Sequence, residues 1–215
     1  NIWKRYSMRV SKNWVKFNKM FTLSPCGPRL ALQVENYLSR SKIESARFET
    51  KQGFLPLKTG ASRKWNKKLE VEMLHTLCGI ANSGSNGAFI IGVADKKADA
   101  ERAKTVDGVN YATVGERYVV GIDREANNMG ITIEEYTKKV IDIIRHSELS
   151  PSLKNHAIAG LDTVTFKGLT ILCISLRKMD SVSFVGKSCF VRKGPATEEA
   201  IGPDILDVQS RFTHG

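Results

Sequence analysis

The sequence predicts an α+β domain in which helices pack on a mixed β-sheet. Three observations carry that expectation. Segments with an apolar residue every three or four positions are interspersed with short apolar runs bounded by turn signals. The two kinds do not follow one another in strict strand–helix–strand order, as a doubly wound parallel fold would require. No internal repeat or low-complexity tract interrupts a chain of 215 residues that is 41% hydrophobic and 26% charged. That length suffices for one core.

Residues 1–28 read as a basic, aromatic arm and linker, and residues 29–215 as the domain. Between Asn1 and Val34 there are seven basic residues and no acidic one, with Trp3, Tyr6, Trp14, Phe17 and Phe21 interleaved. Val10, Trp14, Phe17 and Phe21 fall near helical spacing, which predicts an amphipathic helix. The competing reading is a nucleic-acid arm, with cations on phosphates and rings on bases. The run Ser24-Pro25-Cys26-Gly27-Pro28 is a turn or linker.

Leu30 to Leu38 predicts a short helix, and Arg47 to Lys51 alternates as a strand does. Asn66 caps a helix from Lys67 to about Ala81, with Leu69, Met73, Leu77 and Ile80 on one face. Ser83 to Gly87 is a turn. Ala88 to Val93 is an apolar run, as expected of a buried strand. Tyr118 to Ile122 is another strand. Thr132 opens a capping box with Glu135, ahead of a helix that buries Tyr136, Val140, Ile143 and Ile144. The second half of Leu153 to Phe166, then Leu169 to Leu176 and Ser188 to Arg192, predict strands. Pro203 to Phe212 predicts a closing helix.

The unusual composition is the charge: 33 Lys and Arg against 22 Asp and Glu, formally +11. Such a surplus favours polyanionic partners, nucleic acid or an anionic membrane surface. No apolar run reaches the ~18 residues that a membrane span needs, so no integral membrane protein is expected, and a membrane-surface partner is not expected either, because it leaves the acids Glu44, Glu49 and Asp95 unexplained. Cys26, Cys78, Cys173 and Cys189 are far apart and lack C-x-x-C or nearby His, which argues against a zinc site or a disulfide framework and for a cytoplasmic setting. There is no P-loop. The Gly84/Gly87 turn lies between a helix and a strand, the reverse of the order in a dinucleotide fold.

A second acid-free basic stretch contains Lys51, Lys58, Arg63, Lys64, Lys67 and Lys68. It is a loop by composition, suited either to solvent or to phosphate. Just before it, on the strand ending at Lys51, Glu49 and Lys51 share a face. Such a pair is ordinary surface chemistry, or a carboxylate for a divalent cation beside a phosphate-neutralising Lys. Glu44 lies five residues earlier, so a turn at Ser45-Ala46 must bring it round. Asp95 follows the buried run. Acids at the ends of adjacent strands can converge, and a hard cation relieves the resulting repulsion.

These segments resemble the Schlafen family core, the AlbA-2 type domain. The family's Glu-x-x-x-x-Glu-x-Lys stands here as Glu44 to Lys51. Its helix end, Gly-rich turn and apolar strand resemble Ala81 to Asp95. Its aromatic-x-Arg-x-Gly element resembles Phe190-Val191-Arg192-Lys193-Gly194. The resemblance runs from Lys42 to Phe212. Here the family's Asp-Asp pair is Ala94-Asp95, the Gly-rich turn is one residue longer, and the loop after Lys51 is longer and more basic. Lys96 to Arg117 is inserted.

The resemblance implies a Schlafen/AlbA-2-like mixed sheet and a metal-dependent endoribonuclease acting on structured RNA such as tRNA or rRNA. Glu44, Glu49 and Asp95 would hold Mg²⁺ or Mn²⁺, with Lys51 as a fourth catalytic residue. Lys58, Arg63, Lys64, Lys67, Lys68, Arg192 and Lys193 would grip phosphates. The alternative is a non-catalytic RNA- or DNA-binding module, joined to further domains or to a second copy. Convergence of Glu44, Glu49 and Asp95 on one solvent-reachable spot would favour cleavage, and a Glu44 salt-bridged elsewhere, to Arg47 or Arg192, would favour that alternative.

Overall fold

The structure is a computed structural model, and it describes residues 21–22, 34–39, 46–58 and 63–212. In chain order the elements are β1 (Phe21–Thr22), α1 (residues 34–39), β2 (Phe48–Lys51), α2 (Lys67–Ala81), β3 (Gly87–Ile91), β4 (Val93–Ala94), α3 (Lys97–Asp107), β5 (Ala112–Val114) and β6 (Arg117–Val119). They continue with α4 (Asp123–Met129), α5 (Ile133–His146), α6 (Pro151–Ala159), β7 (Leu161–Phe166), β8 (Leu169–Leu176), β9 (Cys189–Lys193), β10 (Ala196–Ala200) and α7 (Pro203–Ser210). The fold is α+β with a mixed sheet, as the sequence predicts.

The principal sheet runs β1-β7-β8-β3-β2. Only β2 and β3 are parallel, with Glu49 beside Phe89 and Lys51 beside Ile91. Because β3 is central, both its faces are covered, which explains its unbroken apolar run. One face, with Phe89, Ile91, Leu172 and Ile174, packs under α2, α5 and α6. The other, with Phe48, Ala88, Ile90 and Ile171, packs with Val34, Leu38, Val93 and Val119. A second, three-stranded sheet, β4-β6-β5, continues from β3 through the Gly92 bend, where φ is +100°.

Helix starts follow their caps. Asn66 accepts a hydrogen bond from the Lys68 backbone N–H at 3.0 Å. Thr132 and Glu135 form the reciprocal capping box, and its backbone donor holds the Glu135 carboxyl below its ordinary range.

Several elements depart from expectation. Phe21 lies in a strand on β7, opposite Phe166, and not on a helical face. The rest of the arm and its linker lies outside the described residues. The inserted segment is not featureless: it forms α3, β5 and the start of β6. α3 buries only Ala100 and Ala103, too small a stripe to give a helical signal. Residues 151–159 are helical, begun by Pro151 in the first turn.

A buried polar network ties the loop after β2 to the helices. Glu125 is fully buried. Its carboxylate accepts from the Phe54 and Leu55 backbone N–H groups, both at 2.8 Å, and from the Tyr136 hydroxyl at 2.7 Å. Arg124 pairs with it at 3.1 Å and with Asp107 at 2.6 Å. Asp107 also binds Arg63. Burial, followed by the neighbouring Glu125 charge, raises the Tyr136 phenol, so it stays a donor. Glu125→Ala leaves Arg124 underpaired and two backbone donors unsatisfied. Chemical denaturation is expected to record a loss of about 3–5 kcal/mol, against about 1 kcal/mol for Tyr136→Phe.

Candidate nucleic-acid interface

β2 is an edge strand of four residues, and its period-two alternation distributes the proposed site. Glu49 and Lys51 face the α2 side, whereas Phe48 and Thr50 face the other core. Glu49 is 3% exposed. Its Oε1 lies 2.6 Å from Lys51 Nζ, and its Oε2 lies 2.8 Å from Arg192 Nη2. The second contact lacks hydrogen-bond alignment and acts as a close ion pair. Arg192 reaches Glu49 across α2 because Gly79 leaves room: a Cβ there would lie 3.1 Å from Arg192 Cγ. Arg192 also donates to Thr197 at 3.0 Å.

Asp95 sits on the opposite side. Its carboxylate pairs with Arg117, whose side chain is 3% exposed, and accepts from the Thr50 hydroxyl. Arg117 donates to Thr50 at 3.1 Å and lies 5.9 Å from the Phe48 ring centroid. Thr50 alternates with Glu49, so the partners of Asp95 and those of Glu49 belong to opposite faces of one strand. Glu44 lies outside the described residues.

The described carboxylates therefore do not fit the implied metal. Each is already neutralised by a buried arginine, and the two do not converge. Among the described residues no group of three or more His, Cys, Asp or Glu is placed to hold an ion.

The basic residues divide in the same way. Arg192 is buried on Glu49. Lys193 lies 3.2 Å from Asp204 and 3.3 Å from Glu198, whose hydrogen bonds raise its pKa. Arg63 is bound to Asp107 and to the Pro56 carbonyl. Arg192 and Arg63 are thus engaged within the fold, whereas Lys193 is exposed and shares its charge with Asp204 and Glu198. Lys58, Lys64, Lys67 and Lys68 are exposed. Only Lys68 approaches an acid, Glu72 at 4.0 Å, a distance worth little in solvent.

What holds these lysines is Trp65, which sequence reasoning missed. Its ring stacks on Phe54 at 4.4 Å between centroids and tilts against Tyr136 at 5.2 Å. Asn66 N–H donates to the Phe54 carbonyl at 3.1 Å. Lys64 and Lys67 flank this anchor at the N-terminus of α2, where the helix dipole adds positive potential. Lys139 of α5 lies 4.8 Å from the Trp65 ring and extends the cationic face. The signal in the sequence was an aromatic residue amid a basic loop.

No protein-family model matches the sequence, and no curated protein matches it. Among solved structures the chain is similar to the DIP2311 protein from Corynebacterium diphtheriae. The two share 15% identity at a TM-score of 0.44, over 80% of this chain and 26% of that one. The chain thus spans about a quarter of that protein's length. No described helix is long and apolar enough to cross a membrane.

Two outcomes follow from this geometry. Arg192→Met strands the buried Glu49 carboxylate and is expected to cost about 3–5 kcal/mol. Adding Glu49→Gln should recover part of that cost, with a coupling energy of about 1–3 kcal/mol in a double-mutant cycle by urea denaturation. His75 stacks on Phe190 at 3.9 Å between centroids, and burial holds its pKa below 6.5. Its folded pKa is depressed, so its contribution is present above pH 6.5 and is lost as the pH falls through the folded value. NMR titration of the imidazole should give a midpoint below 6.5, and His75→Phe should flatten that part of the stability profile.

Proposed function

We propose that this chain is a nucleic-acid-binding domain of Schlafen AlbA-2 type that grips structured RNA by charge and shape. The observation that carries the reading is the exposed set Lys58, Lys64, Lys67 and Lys68, on the described ends of the basic segment and the first turn of α2, next to the anchors that the Glu125 network and Trp65 provide. Phosphates on neighbouring strands of a folded RNA are fixed anions, and cations that need no reordering bind them at lower entropic cost. A-form RNA offers a deep major groove that side chains cannot read, so recognition by backbone and shape suits a face without a base-reading code. DNA is the weaker alternative partner. A cytoplasmic setting accords with this role.

Metal-dependent RNA cleavage is the second reading. What favours it is the Glu44-x-x-x-x-Glu49-x-Lys51 spacing, together with the Thr50–Asp95 hydrogen bond, which holds the Asp95 carboxylate beside β2. It requires Glu49 to leave Arg192, and the described geometry gives no reason for that.

The test is a salt titration of tRNA binding by the full chain, in EDTA and then in Mn²⁺. Binding should persist in EDTA, with the RNA intact in Mn²⁺. Lys64→Glu with Lys67→Glu should weaken binding and reduce the slope of log K against log salt by about one for each phosphate no longer neutralised. Cleavage in Mn²⁺ that Glu49→Gln abolishes would replace the binding-module reading with the nuclease. Unchanged affinity in the Lys64/Lys67 variant would sink the interface.

A further inference from the structure

The hairpin β9–β10 forms a two-stranded sheet of its own, so one side of β10 pairs with no described strand. Its turn sets which backbone groups face outward. Gly194 has φ +62°, and Pro195 follows it. Proline cannot take a positive φ, which excludes a type I′ turn and leaves type II′, with Gly first. Lys193 and Ala196 flank the turn as register partners. They form the hydrogen-bonded pair that closes a two-residue hairpin. The next pair, Arg192 with Thr197, is then non-hydrogen-bonded, and so is Phe190 with Glu199. The N–H and C=O groups of Thr197 and Glu199 thus point away from β9, along an open edge.

That edge has a distinct chemistry. Ala196, Glu198 and Glu199 are exposed. Ile201 and Leu206, just beyond the strand, are 72% and 68% exposed. Glu198, Glu199, Asp204 and Asp207 outnumber the two cations among them, Lys193 and Arg211, and both of those are ion-paired within the patch. Glu72 of α2 and Glu199 both act on His75 at the flank. The patch is therefore negative on a chain of formal charge +11. Nucleic acid is repelled here. A second copy is disfavoured too: two antiparallel β10 strands centred on Glu198 would set like charges directly opposite each other.

We propose that the open edge of β10 is a docking strand for an extended peptide segment of a partner protein that alternates basic and aliphatic residues. The peptide adds a strand by hydrogen bonding to Thr197 and Glu199. Glu198 and Glu199 point to opposite faces of β10, so the peptide's cations line the Glu199 face, beside Glu72, and its aliphatic residues line the other, beside α7, where Leu206 is exposed. RNA and this partner then occupy surfaces of opposite charge on the same domain.

The probe is a synthetic peptide of about ten residues alternating Lys and Val, long enough to form a strand, beside a Glu–Val control. It is titrated into the full chain by fluorescence anisotropy, with amide hydrogen exchange followed by NMR. The expected result is binding of the Lys–Val peptide alone, with slowed exchange at the Thr197 and Glu199 amides. Glu199→Pro removes one outward N–H and leaves the pairing to β9 intact. It should weaken binding about tenfold beyond Glu199→Gln, which removes the charge alone, and the reversal Glu198→Lys with Glu199→Lys should weaken it as well. Binding equal in Glu199→Pro, without exchange protection, would mean electrostatic adhesion alone and would overturn the proposal. So would no binding at all, or sedimentation of the free chain as a dimer that Glu199→Pro dissociates.

Discussion

The alternation of side chains along β2 is the constraint on which the rest of the domain turns. This strand lies at the sheet edge with a core on each side, so consecutive residues must serve opposite layers. Phe48 and Thr50 go to one layer, Glu49 and Lys51 to the other. A carboxylate sent into a buried layer requires an opposite charge, because an unpaired buried anion costs several kcal/mol. Arg192 supplies that charge for Glu49 and carries the β9–β10 hairpin with it onto α2. Gly79 is the accommodation for that crossing. On the other face the buried charge is the cation Arg117, and the exposed Asp95 neutralises it. The two acids that sequence spacing suggests as co-ligands are thus separated by the geometry of the strand that carries one of them.

The second constraint acts on the two described ends of the basic segment. A loop with Gly53, Pro56 and several lysines has every compositional reason to be mobile. Glu125 anchors one end by accepting from the Phe54 and Leu55 amides, and Gly53 lets the backbone come close enough for it, since a Cβ there would collide with the Glu125 carboxylate. Trp65 closes the far end by stacking on Phe54. Charge, loop closure and helix dipole therefore act at one place, and none of the three requires the carboxylates of the proposed metal site.

Legibility in the sequence followed burial contrast. α2, α5, β3 and β8 were readable because each buries a continuous stripe or run, and the caps at Asn66 and Thr132 announce their helices. α3 and β10 were not readable: α3 buries two alanines, and β10 exposes three of its five residues. Within the site, the residue types at Glu49, Lys51 and Asp95 were legible, but their partners were not. Arg192 is distant in sequence and reaches Glu49 only after the hairpin folds over α2. Arg117 lies in a segment that reads as an insertion. Glu125, Arg124 and Asp107 give no local signal, since a fully buried ion network looks like surface charge until the chain around it is packed.

This also changes what the net charge means. Each deeply buried cation at the site is an arginine: Arg117, Arg124 and Arg192. The exposed cations of the interface, Lys58, Lys64, Lys67 and Lys68, are all lysines. The division has a physical basis. The guanidinium is planar and weakly hydrated, and its fork can bind a carboxylate and a carbonyl together, whereas the ammonium is strongly hydrated and is expensive to bury. Arginine therefore ends inside, neutralised by Glu49, Asp95, Asp107 and Glu125, and contributes architecture rather than field. The lysines remain in water and carry the charge that a polyanion senses. A count of formal charge adds the two together, but only the second kind acts at a distance, and Lys64, Lys67 and Lys68 place it beside the α2 N-terminus while the hairpin end of the same helix is acidic. The domain is thereby polarised, and the polarity is set by which cations the fold consumed.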